Sequence, residues 1–428
     1  MSATLHSPAS YPVSQMAEHL IGSEIIKLGN EVNERIRAGE KITNFTIGDF
    51  DPSVFPIPAE LLEEIINAYR EGNTNYPVAN GMPELRKEVS SWTERIYGLS
   101  YSPNEVLIAG GARPIIYGIY ATLLDAGDSV IYPVPSWNNN HYCHLFGAKG
   151  VEITCSPENN FMPTAEDIRP HLQSAKLLAL CSPQNPTGTV FTREQLEEIC
   201  DLVLAENNRR KPDEKPLYLM YDQIYGALLY NDTAHVDPVS LRPGLRPYTI
   251  YVDGISKALA ATGVRVGWAL GPAYIIDKMK SILGHIGAWS PKAEQLATAR
   301  FLANEGATTR FLTDFKKEIW TRLHGIYQGF EQLKAEGFNV HCIEPKGAIY
   351  LTVSFDLKGK TTAAGKVLNN TEDVTAYILG EAKLAMVPFS AFGASKDSPW
   401  FRLSVGTCKK EGIGELFERL RAALAALK

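Results

Sequence analysis

The sequence predicts an α/β protein, with a large domain on a mostly parallel sheet and a smaller α+β domain formed by both ends of the chain. Three observations carry this. Short apolar stretches alternate with longer amphipathic ones through the middle of the chain, the pattern of βαβ units. At 428 residues the chain exceeds the roughly 250–300 that one hydrophobic core usually organises. After Pro291 the texture changes to a long helical run, which sets off a second unit.

In chain order, the predicted strands of the large domain are EVLIAG (105–110), DSVIYP (128–133), VEITCS (151–156), KLLALCS (176–182), PLYLMYD (216–222), YTIYVDG (248–254) and VGWALG (266–271). Between them lie helical segments such as ARPIIYGIYATLLD (112–125) and TREQLEEICDLVLAEN (192–207). The second opens on Thr192 and places Glu194 and Glu197 near the positive end of the helix dipole. Residues 292–336 read as helical apart from Gly306. Short strands return at GAIYLTVSF (347–355), LAMVPFS (384–390) and WFRLSVG (400–406), and EGIGELFERLRAALAALK closes the chain as an amphipathic helix. The expected division is residues 1–54 as an N-terminal segment belonging partly to the small domain, 55–310 as the large domain, and 311–428 as the rest of the small domain. There is no internal repeat or low-complexity segment.

Composition narrows the function. Apolar content of 45% and charged content of 21% are those of soluble globular proteins. A net charge of −6 without a concentrated basic stripe argues against nucleic acid as a partner. The densest basic cluster, NNRRKPDEK (207–215), is diluted by acids and a proline and reads as a solvated loop. Six cysteines without C-x-x-C spacing suggest reduced thiols in a cytoplasmic protein rather than disulfides or a metal site. No run of about 18 apolar residues suggests a membrane span. The opening MSATLHSPASYPVSQ has neither a signal-peptide core nor an arginine and reads as a short lead-in.

Functional groups in open α/β sheets gather where strands end. Four polar clusters stand at such ends: GGAR after the first predicted strand, SPQNPTG after the fourth, YDQIY after the fifth and GISK after the sixth. The topology would bring them to one crevice. Lys257 sits among Ile255, Ser256, Ala258, Leu259, Ala260 and Ala261, with no acid between them. Most lysines lie in exposed loops, but a lysine stripped of water loses its proton more readily and becomes the amine nucleophile that Schiff-base chemistry needs. The apolar setting puts that second reading slightly ahead. Asp222, with Tyr225 three residues on, is either a turn cap or a buried carboxylate that holds a ring nitrogen protonated beside a phenol. Asn185 in SPQNPTG is either a turn former or a fixed amide donor. The N–H groups freed where GGAR (110–113) opens a helix suit a phosphate. A Gly-Gly pair is neither G-x-G-x-x-G nor a P-loop, so dinucleotides and nucleoside triphosphates are not indicated.

Taken in order, SPQNPTG, YDQIY, GISKALAATGVRVGW and FRLSVG resemble the fold type I enzymes that depend on pyridoxal 5'-phosphate, specifically the class I/II aminotransferases of the aspartate aminotransferase-like family. The resemblance runs from about residue 20 to the end. It implies a large cofactor domain with a mixed, mostly parallel sheet sandwiched by helices. It implies Lys257 as the Schiff-base lysine that also moves the substrate proton, and Asp222 as the partner of the ring nitrogen. Tyr225 and Asn185 would bond the cofactor's 3' oxygen, and Trp137, in VPSWNNN, would stack on the ring. The backbone of Gly111 and Ala112, with Ser256 and Arg265, would hold the phosphate, a role that suits the arginine fork. Tyr76, in NYPVANGMPELR, would reach the phosphate of a neighbouring subunit, which implies a homodimer with a composite active site. Arg402 would clamp the substrate α-carboxylate with Asn185 assisting, and Gly48, in TIGDFDP, would belong to a mobile segment over the substrate. A cis Asn185–Pro186 bond is also implied.

Departures bear on specificity. Relatives that act on dicarboxylates commonly have a lysine directly after the Gly-Gly pair; this chain has Ala112, then Arg113 where glutamine is usual. Neighbours on a helix point about 100° apart, so Arg113 does not automatically replace that lysine. Trp289 and Lys292, in GAWSPKAEQ, fall where the family lines the neighbouring site. Either Lys292 supplies the missing charge, or Ala112 and Trp289 favour a bulky or aromatic side chain. Phe50 stands where the commoner spelling of its segment has proline. The expected activity is amino-group transfer between an L-amino acid and a 2-oxo acid in two half-reactions, with acidic, aromatic and prephenate-type substrates all open. A lyase or decarboxylase on the same fold would share the cofactor residues. A regulatory relative would need an added DNA-binding module, and no helix-turn-helix or basic region is left over for one.

Overall fold

A computed structural model describes residues 13–20, 22 and 24–428; most of the predicted lead-in, through residue 12, lies outside the described residues. The seven strands expected in the middle of the chain form one sheet. Their order is Val106–Ala109, Gly267–Leu270, Thr249–Gly254, Tyr218–Asp222, Ala175–Cys181, Ser129–Val134, Lys149–Thr154. All run parallel except Gly267–Leu270, which is antiparallel to both neighbours. Helices cover both faces, so alternate residues of one strand enter different cores, as parallel sheets require. Leu178 and Leu180 pack with Leu196, Ile199 and Val203 of the helix Arg193–Arg209. Leu177 and Ala179 face Ile115 and Ile119 of the helix Ala112–Leu123. The edge strand Lys149–Thr154 begins two residues before the predicted VEITCS run, because its exposed side carries polar residues that an apolar pattern misses.

Thr192 caps its helix through a reciprocal pair: its hydroxyl accepts from the Gln195 N–H at 3.2 Å, and the Gln195 side chain accepts from the Thr192 N–H at 3.1 Å. Two expectations need correction. The helical run after Pro291 breaks at Asn304 rather than Gly306, giving helices Lys292–Ala303 and Glu305–Ala335. The Asn304 side chain accepts from the Ala307 N–H, and this cap starts the second helix. The segment 207–215 is also not a solvated loop throughout. Arg210 is buried, paired with Glu206 at 2.8 Å and donating to the carbonyls of Leu172 and Ala175.

Two smaller sheets follow, and the two ends of the chain meet in the first of them. The predicted strand 384–390 splits: Leu384–Ala385 pairs in parallel with Thr43–Asn44, and Val387–Pro388 joins an antiparallel sheet. That sheet runs Val387–Pro388, Trp400–Ser404, Tyr350–Phe355, Val340–Cys342. The helices Glu305–Ala335, Thr371–Glu381 and Ile413–Ala425 cover it over a separate core that includes Leu323, Leu351, Val374 and Leu420. Two backbone bonds, Ser404 N–H to Phe45 and Asp51 N–H to Gly406, lay residues 45–51 along the strand that carries Arg402.

Candidate active site

The four strand-end clusters open on one cavity of about 730 Å³, lined by Ala112 and Arg113, Asn185, Asp222 and Tyr225, and Ser256 and Lys257. The small sheet adds Arg402 and Tyr350, and the 45–51 segment adds Thr46, Gly48 and Asp49. The cavity lies at the carboxyl ends of the parallel strands, where open α/β sheets place their sites.

The reversed strand accounts for the spacing of Lys257 and Arg265. Because Gly267–Leu270 runs antiparallel, it begins where its neighbours end, and Gly267 pairs with both Gly254 and Ala109. The chain leaves Thr249–Gly254, makes the single turn Ile255–Ala258 that holds Lys257, and returns with Arg265 at the same sheet edge. A side chain at Gly267 would fall on the Gly111–Ala112 backbone, and one at Gly111 on the Arg265 guanidinium. Gly111 does not line the cavity, and its N–H is committed to the Ala109 carbonyl at 2.7 Å. The free N–H groups are therefore those of the first helical turn, from Ala112 onward. Arg265 donates to the carbonyls of Thr262 at 2.7 Å and Gly110 at 2.6 Å and has no acidic partner among the described residues.

Lys257 donates to the Gly48 carbonyl at 2.8 Å. Loss of hydration brings its ammonium down to about 8; Asp49 pulls it back up, while Arg402, Arg113 and Arg265 repel it further down. Burial pushes the Asp222 carboxyl up to about 6, opposed by the Ile224 N–H that donates to it at 3.0 Å. No described cation pairs with it. Tyr225 places its hydroxyl 2.5 Å from that of Tyr350. The Asn185–Pro186 bond is cis, as expected.

Arg402 is 1% exposed. It donates to the Asn185 side-chain oxygen at 3.2 Å and the Thr46 carbonyl at 2.7 Å, lies 4.8 Å from the Tyr350 ring centre and 4.9 Å from that of Phe392, and leaves its Nε without a partner. A buried guanidinium held only by neutral groups is costly until an anion joins it. At the other side of the cavity, Arg113 lies 5.3 Å above the Trp137 ring.

Besides Gly111, three expected residues, Tyr76, Trp289 and Lys292, stay outside this chain's cavity. Tyr76 is 81% exposed and meets Trp289 edge-on at 5.3 Å, and Lys292 bonds the Asn75 side chain at 2.8 Å. Sequence reading missed Tyr350, Asp49 and Thr46. Tyr350 lies in an ordinary apolar strand, and nothing local distinguishes it.

The cavity's donor set fits pyridoxal phosphate. Asp222 is a desolvated carboxylate without a cation, Lys257 is an amine with a lowered pKa, and Arg265 beside an open helix N-terminus forms an anion cradle.

Fold and site together define an aminotransferase of fold type I, and the chain belongs to the class I and II aminotransferase family, whose model matches residues 40–420. An aspartate aminotransferase of Rhizobium meliloti (strain 1021) is 30% identical over 427 residues, 99% of this chain and 98% of that protein. The crystal structure of the aspartate aminotransferase from Rhizobium meliloti superposes with a TM-score of 0.88 at 29% identity, covering 98% of this chain and all of that one. The Thermus thermophilus aspartate aminotransferase with maleate gives 0.84 at 27% identity, covering 97% and 100%.

Proposed function

We propose that this aminotransferase uses pyridoxal 5'-phosphate held by the residues above and takes a dicarboxylic amino acid, aspartate or glutamate, as its donor. The observation that carries the reading is the set of three guanidiniums, Arg265, Arg402 and Arg113, around Lys257, none paired with an acid among the described residues. Such a cavity suits three anionic groups: a phosphate, an α-carboxylate and a side-chain carboxylate. The names of the relatives, and the dicarboxylate maleate in one of them, support the same choice.

Bound pyridoxal phosphate supplies an aldehyde that combines with amines and a ring that withdraws electrons from the substrate Cα–H bond. Lys257 would hold the cofactor through its amine between turnovers and, when free, would take the proton from the substrate Cα and give it back. Asp222 keeps the ring nitrogen protonated. Tyr225 and Asn185 donate to the neighbouring oxygen, and Trp137 flanks the ring. Ser256, Arg265 and the Ala112 N–H hold the phosphate, with Gly111 leaving room. Arg402 orients the α-carboxylate and Arg113 the distal one. Tyr76, exposed and outside its own cavity, suits a phosphate contact in a second copy, so the functional unit is a homodimer. The six cysteines are free thiols, as suits a reducing cytoplasm, and no helix among the described residues is long and apolar enough to cross a membrane.

The test is the absorbance of the protein loaded with pyridoxal phosphate. L-aspartate or L-glutamate bleaches the cofactor band faster than L-phenylalanine, and Lys257→Ala abolishes turnover. Arg113→Ala raises the KM for aspartate about 10–100-fold, the worth of one charged contact, and leaves the KM for a monocarboxylic donor unchanged. A protein that takes up no cofactor refutes the reading, and equal losses for both donors refute the role of Arg113.

A further inference from the structure

We infer that Tyr350 is a positioning residue that couples the carboxylate clamp Arg402 to the phenol of Tyr225; the inference rests on the cofactor reading above. The two hydroxyls lie 2.5 Å apart, both residues are buried, and the rings meet edge-on at 5.4 Å. Tyr225 has a single proton. Given to Tyr350, it is not available to an acceptor in the cavity. With an oxygen facing Tyr225, that proton turns to the oxygen and Tyr350 must donate to Tyr225. The two phenols then form a directed chain in which each bond strengthens the next.

Arg402 supplies the second link. Tyr350 pairs with Ser404 and Thr352 with Arg402, so Tyr350 and Arg402 are diagonal neighbours on adjacent antiparallel strands. The guanidinium lies 4.8 Å from the Tyr350 ring centre, where its charge makes the phenol a stronger donor. A substrate carboxylate on Arg402 neutralises that charge, so Tyr350 donates less strongly to Tyr225, and Tyr225 less strongly to its acceptor. The fold keeps this contact close. A Cβ at Gly48 would stand 2.9 Å from the Tyr350 hydroxyl, and the Gly48 carbonyl holds Lys257.

The other groups facing this pair are Cys181 and Asp49 near Tyr350, and Lys257, 5.9 Å from the Tyr225 ring centre, with Arg113 and Arg265 beyond it. Cys181 is spent on the Pro183 carbonyl and Asp49 on the Phe50 N–H. Asn185, bonded to Arg402, provides a parallel route.

The experiment is a pH titration of the bound-cofactor absorbance in wild type and Tyr350→Phe, with and without saturating succinate, a carboxylate without an amino group. A donor on the cofactor oxygen stabilises the negative charge there, so weakening it raises the pH at which the neighbouring Lys257 nitrogen gives up its proton. Succinate therefore raises the wild-type midpoint. In Tyr350→Phe the midpoint without succinate already stands higher by about half a pH unit or more. The succinate-induced shift falls to half or less, the remainder passing through Asn185. A Tyr350→Phe midpoint and succinate shift equal to wild type overturn the inference. 3-Fluorotyrosine placed at position 350 keeps the ring and sharpens the donor, so it lowers the midpoint; no movement there also overturns it, even if the phenylalanine variant fails to fold. A wild-type protein with no cofactor band refutes the cofactor reading instead.

Discussion

At the scale of the residue, burial sets the chemistry of Lys257 and Asp253. With its ammonium at about 8 instead of 10.5, roughly a tenth of Lys257 is a free amine at pH 7, against a few parts in ten thousand for an ordinary lysine. The rate at which the cofactor-free protein captures pyridoxal phosphate should therefore rise with pH and level off above about 8. Stopped-flow absorbance measures this, and a rise continuing to pH 10 contradicts it. Asp253 lies one strand from Asp222, buried, with its Oδ1 accepting from the Gly254 N–H at 2.7 Å and the Tyr97 and Gln223 side chains beside its carboxyl. Burial pushes its carboxyl up to about 8 from 3.8. The folded protein then keeps a proton that the unfolded chain releases, so stability falls as pH rises from about 4 to about 8. Asp253→Asn should remove most of that decline and so raise stability at pH 8. Urea unfolding at pH 5 and pH 8 tests it; the slope that remains belongs to Asp222, raised to about 6. An unchanged slope refutes the assignment.

At the scale of the element, the single antiparallel strand decides where the cofactor grips stand. Gly267–Leu270 returns the chain to the active edge and brings Arg265 against the start of the helix Ala112–Leu123. The contact is tight enough that Gly267→Ala must displace the Gly111–Ala112 backbone. We expect a loss of about 2–3 kcal/mol of stability, in the range of overpacking, and weaker binding of inorganic phosphate to the cofactor-free protein. Calorimetric melting and phosphate titration check both, and wild-type values for both contradict the close approach. The strand ends, the Thr192 cap and the closing helix were legible in the sequence because apolar period and capping chemistry are local. The Asn304 break and the buried Arg210 were not. Asn304 was hidden by the more conspicuous Gly306 two residues on, and the partners of Arg210 include the carbonyls of Leu172 and Ala175, distant in the chain.

At the scale of the whole molecule, the proposed composite site makes a mixing test possible. Lys257→Ala and Tyr76→Ala subunits, each impaired alone, should form mixed dimers with one intact site. Half of the randomly paired dimers are mixed and have one of two sites complete, so refolded mixtures should reach about a quarter of wild-type turnover, as two-fold symmetry dictates. Mixtures no better than the parent variants refute a phosphate contact from Tyr76 across the dimer.

By itself the sequence determined the α/β class, the strand-end clusters and, through SPQNPTG, YDQIY and GISK, the family. These features are written in short runs whose period and residue type act locally. Only the tertiary structure decided that Tyr350 stands between Tyr225 and Arg402, that Arg113 lies over Trp137 within the field of Lys257, and that Trp289 and Lys292 do not line their own chain's cavity. Those relations join residues from distant parts of the chain, and only the packing of one sheet against another fixes the distances between them.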